Sequence, residues 1–313
     1  MKHLPVLLSE SLDYLNIKPD GVYVDGTLGR GGHSFEIASS LKDGKLITID
    51  TDEAAIGEAQ EKLARFKDKI TYVHDNFRNI SAILNDLGID SVDGMLFDLG
   101  VSSPQLDDES RGFSYKHDHR LDMRMDKSKD FTAYELVNVE SEEELRRIFF
   151  EYGEEKFSRL IAKKLVAERS KSKIETTGEL NEIIFSAIPA SARREEQHPA
   201  KRIFQAIRIA VNDELGAVEE MLKSAPNLLA PNGRLCVISF HSLEDRIVKN
   251  SFKEHSETCS CSKKLPVCIC NKEPSLKIIT KKPITAGAIE IENNPRARSA
   301  KLRVAERFAS GTK

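Results

Sequence analysis

No stretch of this 313-residue chain approaches the roughly 20 consecutive apolar residues that a bilayer span requires. Nothing repeats at a fixed period, which excludes a solenoid or a propeller. Cysteine is scarce: there are five, four of them clustered within residues 259–270. In a chain of this length that is not the pattern of an extracellular disulfide framework. Basic charge is not in excess either, since 47 Lys and Arg face 50 Asp and Glu for a net charge of −3. Any binding to nucleic acid must therefore come from local patches and not from overall charge. Two phosphate-binding signatures are also missing, because neither G-x-G-x-x-G nor G-x-x-x-x-G-K-[ST] occurs.

What is present is a globular composition, 40% hydrophobic and 31% charged, long enough for one large domain or two ordinary ones. The opening segment MKHLPVLLSESLDYL turns amphipathic at once and lacks a small-residue cleavage site. It reads as a helix of the folded domain and not as a signal peptide, with the cytoplasm as the expected location.

The first hundred residues alternate short apolar runs with amphipathic segments. Strands are expected at 21–26, 44–50, 69–75 and 92–100, and helices at 33–41, 52–66 and 81–89. Such alternation implies right-handed crossovers and a parallel sheet. From about 107 to 200 no strand is convincing, and helices are expected at 141–151, 154–170 and 176–187, followed by a long one at 201–224. Strands resume at 233–240, 276–284 and 299–307. One α/β domain (1–106 and 207–313) with a helical insertion (107–206) accounts for this. Such insertions fall where strands end, because ligand-facing loops lie there.

The stretch VYVDGTLGRGGH (22–33) ends an apolar run in a burst of glycine. Glycines at the first strand–helix turn let the backbone approach a ligand. Here an acid, Asp25, precedes them, and it would repel a pyrophosphate but suit an amino group. Asp50 ends the second strand, where an acid can hold a ribose diol. Asp75 and Phe77 follow the third, where an adenine amine and ring could be held. Together with DLG after strand four, this is the layout of a site for S-adenosylmethionine (AdoMet). Simpler readings stand beside it: a tight loop, Asp50 as a helix N-cap, and Phe77 as core. The expected fold class is therefore α/β: a Rossmann-like, AdoMet-dependent methyltransferase sheet, mostly parallel and of about seven strands, with an inserted all-helical domain.

The segments VDGTLGRGGHS, LFDLGVSSPQLDD, RGFS, LDMRMD, YGEE, FQAIRIAVNDEL, ISFHSLEDRIVK and NPRARSAKLR together resemble the MraW family of 16S ribosomal RNA cytosine-N4-methyltransferases, over about residues 3–308. The resemblance implies AdoMet as cofactor and a cytidine in the decoding region of 16S rRNA, within the small ribosomal subunit, as substrate. It places cofactor contacts at Gly31, Gly32, His33, Asp50, Phe77, Asp98 and Gln105. A Gly31→Val change is expected to abolish AdoMet binding with the fold intact. His119-Arg120 depart from the family pattern, in which a small residue and often Pro precede the Leu.

The N4 amine of cytosine is a poor nucleophile, because its lone pair is delocalised into the ring. Asp98 is the candidate catalytic residue, a polar anchor near methyl and amine. The segment DLGVSS lacks the Pro-Pro-aromatic of amino-methyltransferases that act on DNA, so base stacking must come from elsewhere. Phe113 and Tyr115 are candidates, with core packing as the alternative, and His241 either edges the pocket or makes a structural hydrogen bond. The target base must be unstacked to reach the cofactor. Residues 156–173 hold seven basic residues and one acid, with Phe157, Leu160, Ile161, Leu165 and Val166 on one helical face. Lys163 and Lys164 on the other face are candidate RNA contacts, as are 193–202 and 294–303, a solvated face being the alternative. Cys259, Cys261, Cys268 and Cys270 form C-x-C-x6-C-x-C. They could hold a structural zinc, or be free thiols or a labile disulfide. Many family members lack the cluster, so catalysis should not need it. Rival functions are a methyltransferase acting on DNA, protein or a small molecule, and an RNA-binding assembly factor holding AdoMet without turnover. The chain is expected as a monomer or homodimer with no membrane partner.

Overall fold

The computed structural model describes residues 5–190, 193, 198, 200–259, 261, 270 and 272–309. The chain divides into two compact units, residues 1–100 with 215–313, and residues 101–214.

The first unit is a Rossmann-like α/β layer structure. Its strands are β1 (Val22–Asp25), β2 (Lys45–Asp50), β3 (Ile70–His74), β4 (Val92–Asp98), β5 (Leu229–Ser239), β6 (Leu276–Ile278) and β7 (Lys301–Arg307). They form one sheet in the order β3-β2-β1-β4-β5-β7-β6. The first five strands run parallel, and β7 is antiparallel to both β5 and β6. Helices α1 (Leu8–Leu15), α2 (Gly32–Ser40), α3 (Glu53–Lys62) and α4 (Ile80–Asp86) belong to the N-terminal half. The central strands are apolar without alternation: β4 reads VDGMLFD, with Met95, Leu96 and Phe97 fully buried. That pattern belongs to a sheet covered on both faces. Two apolar clusters supply the cover, one joining Leu96, Ile238 and Leu302 to Ile37 and Leu63, the other joining Phe97 and Val237 to Ile80 and Leu222.

The second unit is helical: α5 (Ser103–Asp107), α6 (Ala133–Val139), α7 (Glu142–Glu151), α8 (Ser158–Arg169), α9 (Thr177–Ala187) and α10 (Ala200–Asn212). Its core runs from Phe113 and Leu121 through Phe149, Ile161 and Ile184 to Ile207. Its helix starts are written in the sequence. Thr132 and Thr176 each form a reciprocal capping box, with Glu135 and Glu179, and Ser141 caps α7. His119 is tied down on both sides, its N–H donating to Thr177 Oγ1 and its carbonyl accepting from Thr177 N–H.

The division falls at 101 and 214 and not at 107 and 206. Val101 and Leu106 pack against the helical core, and Ile203, Phe204, Ala206, Ile207 and Val211 of α10 belong to it. The long helix expected at 201–224 is two helices, α10 and α11 (Glu214–Leu228), broken at Asp213, whose φ of 48° no α-helix continues. The strand expected at 276–284 stops at Ile278. Beyond it the Ile279 and Thr280 N–H groups both donate to Val304 O of β7, and Ile284 forms an isolated bridge to Leu302. Helices α12 (Ser242–Ser256) and α13 (Ala288–Asn293) complete the order. Leu160 is 47% exposed, and Ala162 takes its place on the buried face of α8. Among the described residues no helix is long and apolar enough to cross a membrane.

Candidate active site

Parallel strands end on one edge of a sheet, so the acids that close β1, β2 and β4 gather there without any long loop. The glycine turn fills the space between them. Gly26 N–H donates to Leu96 O and Leu28 N–H to Ile49 O, each at 2.9 Å, so the turn is anchored on both neighbouring strands.

Asp25 is 1% exposed, and its carboxylate faces inward. It accepts from Ser34 Oγ at 2.6 Å and from Thr27 N–H at 3.2 Å. Burial holds its carboxyl above the ordinary range. The acid in front of the glycines therefore braces the turn; the contact with a ligand amino group suggested by the sequence is not what its oxygens make. Asp50 also serves the turn. Its Oδ2 accepts from Gly29 N–H at 2.7 Å and its Oδ1 from Asp52 N–H at 2.9 Å. Burial pushes it up to about 6, against the pull of those two N–H donors. The N-cap of α3 is Asp52 and not Asp50.

Gly31 is the N-cap of α2 with φ 67°, and a Cβ there would stand 2.9 Å from Leu63 Cδ1. A Cβ on Gly32 would meet the Pro5 ring at 2.4 Å. Both glycines are thus demanded by packing, and a Gly31→Val change would damage the fold, contrary to the sequence expectation. Gly29 differs: its φ is 48°, and nothing lies within 4 Å of where a Cβ would project.

His33 is 5% exposed, and its Nε2 lies 3.1 Å from Val6 O. That carbonyl can only accept, so Nε2 carries the proton. Nδ1, with its lone pair free, lies 3.8 Å from Asp98 Oδ2. Burial drives the imidazole down to about 4, so it is neutral at physiological pH. Asp98 is pushed the opposite way, up to about 8, by burial first and then by the charges of Asp25 and Glu244. Its N–H donates to Thr27 Oγ1 at 2.7 Å. Its Oδ1 is buried with no hydrogen-bond partner. A buried acceptor without a donor is costly unless something arrives to fill it. Phe77 meets Phe97 edge-to-face at 5.7 Å and remains partly exposed. Asp75 is engaged by Asn76 N–H and Asn79 Nδ2.

His241 is the N-cap of α12: its Nδ1 accepts from Glu244 N–H, while Glu244 Oε2 accepts from the Phe240 and His241 N–H groups. This is the structural hydrogen bond that the sequence left open for it.

Within the second unit, Gln105 is 8% exposed and accepts from Ser102 N–H through Oε1. Phe113 is 7% exposed and belongs to the helical core, so packing occupies it. Tyr115 is partly exposed and stacks on His198 at 4.8 Å. Several expected RNA-facing cations have internal work. Arg169 donates to Val137 O and Glu140 O at the end of α6. Lys164 and Lys171 both pair with Glu168. Arg193 donates to Ile188 O. Lys163, Arg159 and Lys173 are exposed and have no ion-pair partner among the described residues. In the first unit, Arg303 and Lys301 are held by Asp245, while Arg298 is exposed.

Sequence reasoning assigned no role to Thr27, Ser34 or Glu244. The pattern H-x-x-E ahead of an amphipathic run was a signal for the last, since it is a capping box with His in place of Ser or Thr.

The family model described as the MraW methylase family matches residues 1–308. A protein named Ribosomal RNA small subunit methyltransferase H from Brevibacillus brevis is 54% identical over 307 residues, covering 98% of each chain. Its namesake from Clostridium botulinum is 58% identical over 308 residues, covering 98% of this chain and 99% of its own. Among solved structures, one titled a putative rRNA-methylase from Clostridium thermocellum aligns over 98% of this chain at 14% identity with a TM-score of 0.45, which adds nothing to the strand order itself. With acids closing β1, β2 and β4 around a glycine turn, and with identity above one half along almost its full length, this chain belongs to the MraW methylase family.

Proposed function

We propose that this protein is an AdoMet-dependent rRNA methyltransferase that methylates N4 of a cytidine in the decoding region of 16S rRNA. The carrying observation is Asp98: a carboxyl group at the end of β4 whose Oδ1 is buried and unpartnered beside the glycine turn. The residues fit the cofactor. Asp50, the open side of Gly29 and the exposed edge of Phe77 would hold AdoMet, with Gly31, Gly32 and His33 shaping the turn. Bound there, it supplies an electrophilic methyl group.

The chain's own groups then do three things. Asp98 Oδ1 accepts a hydrogen of the attacking amine, which localises the nitrogen lone pair and orients it. His33, neutral and fixed by Val6 O, keeps an uncharged wall beside Asp98. The braced turn holds both without rearrangement, so the geometry is preorganised. Transfer of that methyl to N4 would leave the amine with one surplus proton, which solvent would take. The substrate class rests on the relatives, each named for the small-subunit rRNA, and on the unpaired cations Lys163 and Arg159 of α8. Tyr115, partly exposed, is the remaining candidate for base stacking.

The test is to incubate the protein with methyl-labelled AdoMet and small subunits from cells lacking the enzyme, then to identify the modified nucleoside. N4-methylcytidine is expected. Label on protein or on a ring carbon of cytosine would refute the assignment, and AdoMet binding without transfer would leave an assembly factor.

A further inference from the structure

The methyltransferase reading leaves the cysteines unused. Three of them, Cys259, Cys261 and Cys270, bring their sulfurs within 4.8 Å of one another. Cys259 and Cys270 stand 3.8 Å apart, sulfur to sulfur. Cys261 N–H donates to Cys259 Sγ at 3.3 Å, which draws the two residues together. Cys268, the fourth of the sequence cluster, lies outside the described residues.

The base of this cluster is fastened before any metal is considered. Cys259 follows α12, and Cys270 precedes β6. There, Ser275 N–H donates to His255 O at 2.9 Å, Ser275 Oγ lies 2.9 Å from His255 Nδ1, and Lys272 Nζ donates to Glu254 O at 2.7 Å. The two ends of the cysteine segment are thus held side by side, and the thiols converge beyond that clamp.

We propose that these thiols bind a zinc ion that staples the end of α12 to the edge strand β6. Donor chemistry selects the metal: an all-thiolate set is soft, suits tetrahedral Zn²⁺, and offers none of the oxygen ligands that Mg²⁺ or Ca²⁺ require. Geometry agrees, since a Zn–S bond of about 2.3 Å in a tetrahedron places sulfurs about 3.8 Å apart, the separation of Cys259 and Cys270. A disulfide would need about 2.05 Å. Each thiol releases its proton to solvent as its sulfur binds the ion, so binding weakens in acid. The role is structural. Strand β6 has three residues and lies at the edge of the sheet beside β7, so a metal at the adjacent thiols adds to the Ser275–His255 contacts and the buried Leu276 that already hold it. The site is remote in function from the glycine turn, and its loss leaves AdoMet binding in place.

The experiment is metal analysis of the full chain, purified under reducing conditions after growth with added zinc. About one zinc per chain is expected. Cys259→Ser, Cys261→Ser and Cys270→Ser should each lose the metal, whereas Cys236→Ser, in the buried core, should keep it. AdoMet binding by each variant certifies that it is folded. Hydrogen exchange should show lost protection in α12 and β6 on chelation, and unchanged protection in β1 and β2. Zinc below about half an equivalent in the parent protein would overturn the proposal. So would full zinc retained in the three serine variants, or a disulfide found by mass spectrometry in the reduced preparation.

Discussion

Thr27 Oγ1 accepts the backbone N–H of Asp98 at 2.7 Å, so the turn after β1 fixes the residue that closes β4. Thr27→Val keeps the shape and removes the acceptor. The stranded N–H costs about 1–3 kcal/mol, and AdoMet affinity should fall roughly tenfold as Asp98 drifts. Thr27→Ser should restore both. Calorimetric AdoMet binding beside thermal unfolding checks this; a Val variant that binds like the parent would remove Thr27 from any positioning role.

Gly29 and Gly31 separate ligand space from packing. Gly29→Ala places its methyl in the open, at a cost of about 1–2 kcal/mol for the left-handed backbone, and should weaken AdoMet binding far more than it lowers Tm. Gly31→Val drives carbon into Leu63 and should yield a poorly folded protein whatever the ligand. Equal Tm losses in the two variants would contradict the distinction.

The acids near the turn make stability fall with pH. Asp98 titrates near 8 when folded, so between about 4 and 8 the native state holds a proton that the unfolded chain has lost. Asp50 adds to this up to about 6, while His33, lowered to about 4, acts in the opposite sense until about 6.5. Above that Asp98 remains, beside Asp25, whose buried carboxyl is also held high. Asp98's own share of the loss in the ligand-free protein is up to about 2 kcal/mol between pH 6.5 and 8, and Asp98→Asn should make the slope shallower. Denaturant midpoints across that range give the answer, and a parent curve that rises would count against the protonated acid.

Lys163 and Lys164 should not behave alike. Lys163 is exposed and unpaired, whereas Lys164 is paired with Glu168 at 2.8 Å. Lys163→Glu should weaken rRNA binding and reduce its salt slope by roughly one, with AdoMet affinity unchanged. Lys164→Glu should weaken binding less, because its charge is already partly spent. Filter binding at several salt concentrations tests the order, and matched loss of AdoMet affinity would sink the RNA-contact reading.

The strands were legible because each is a short apolar run closed by a polar residue, and an acid after a buried run is a local signal. Asp50 and Asp98 could be found that way. What their oxygens touch could not. Asp25 looked outward from the sequence, but Ser34, nine residues on, turns it inward. Charge runs misled for the same reason. Arg169 and Lys164 count as positive in any window, but their partners at 137, 140 and 168 exist only in the folded helices. The break at Asp213 was hidden because a left-handed residue inside a helical pattern leaves no periodic trace.

The insertion between β4 and β5 also sets a clock. Phe97 pairs with Val237, 140 positions later. At about 5–20 residues per second, a ribosome making this chain needs roughly 7–28 s to deliver that partner. Until then the apolar flank of β4 is an unpaired edge, the kind that recruits other chains. The helical unit, complete at residue 214, can finish folding in that interval. The half-built sheet cannot, so chaperone demand should peak in the window between the synthesis of β4 and that of β5.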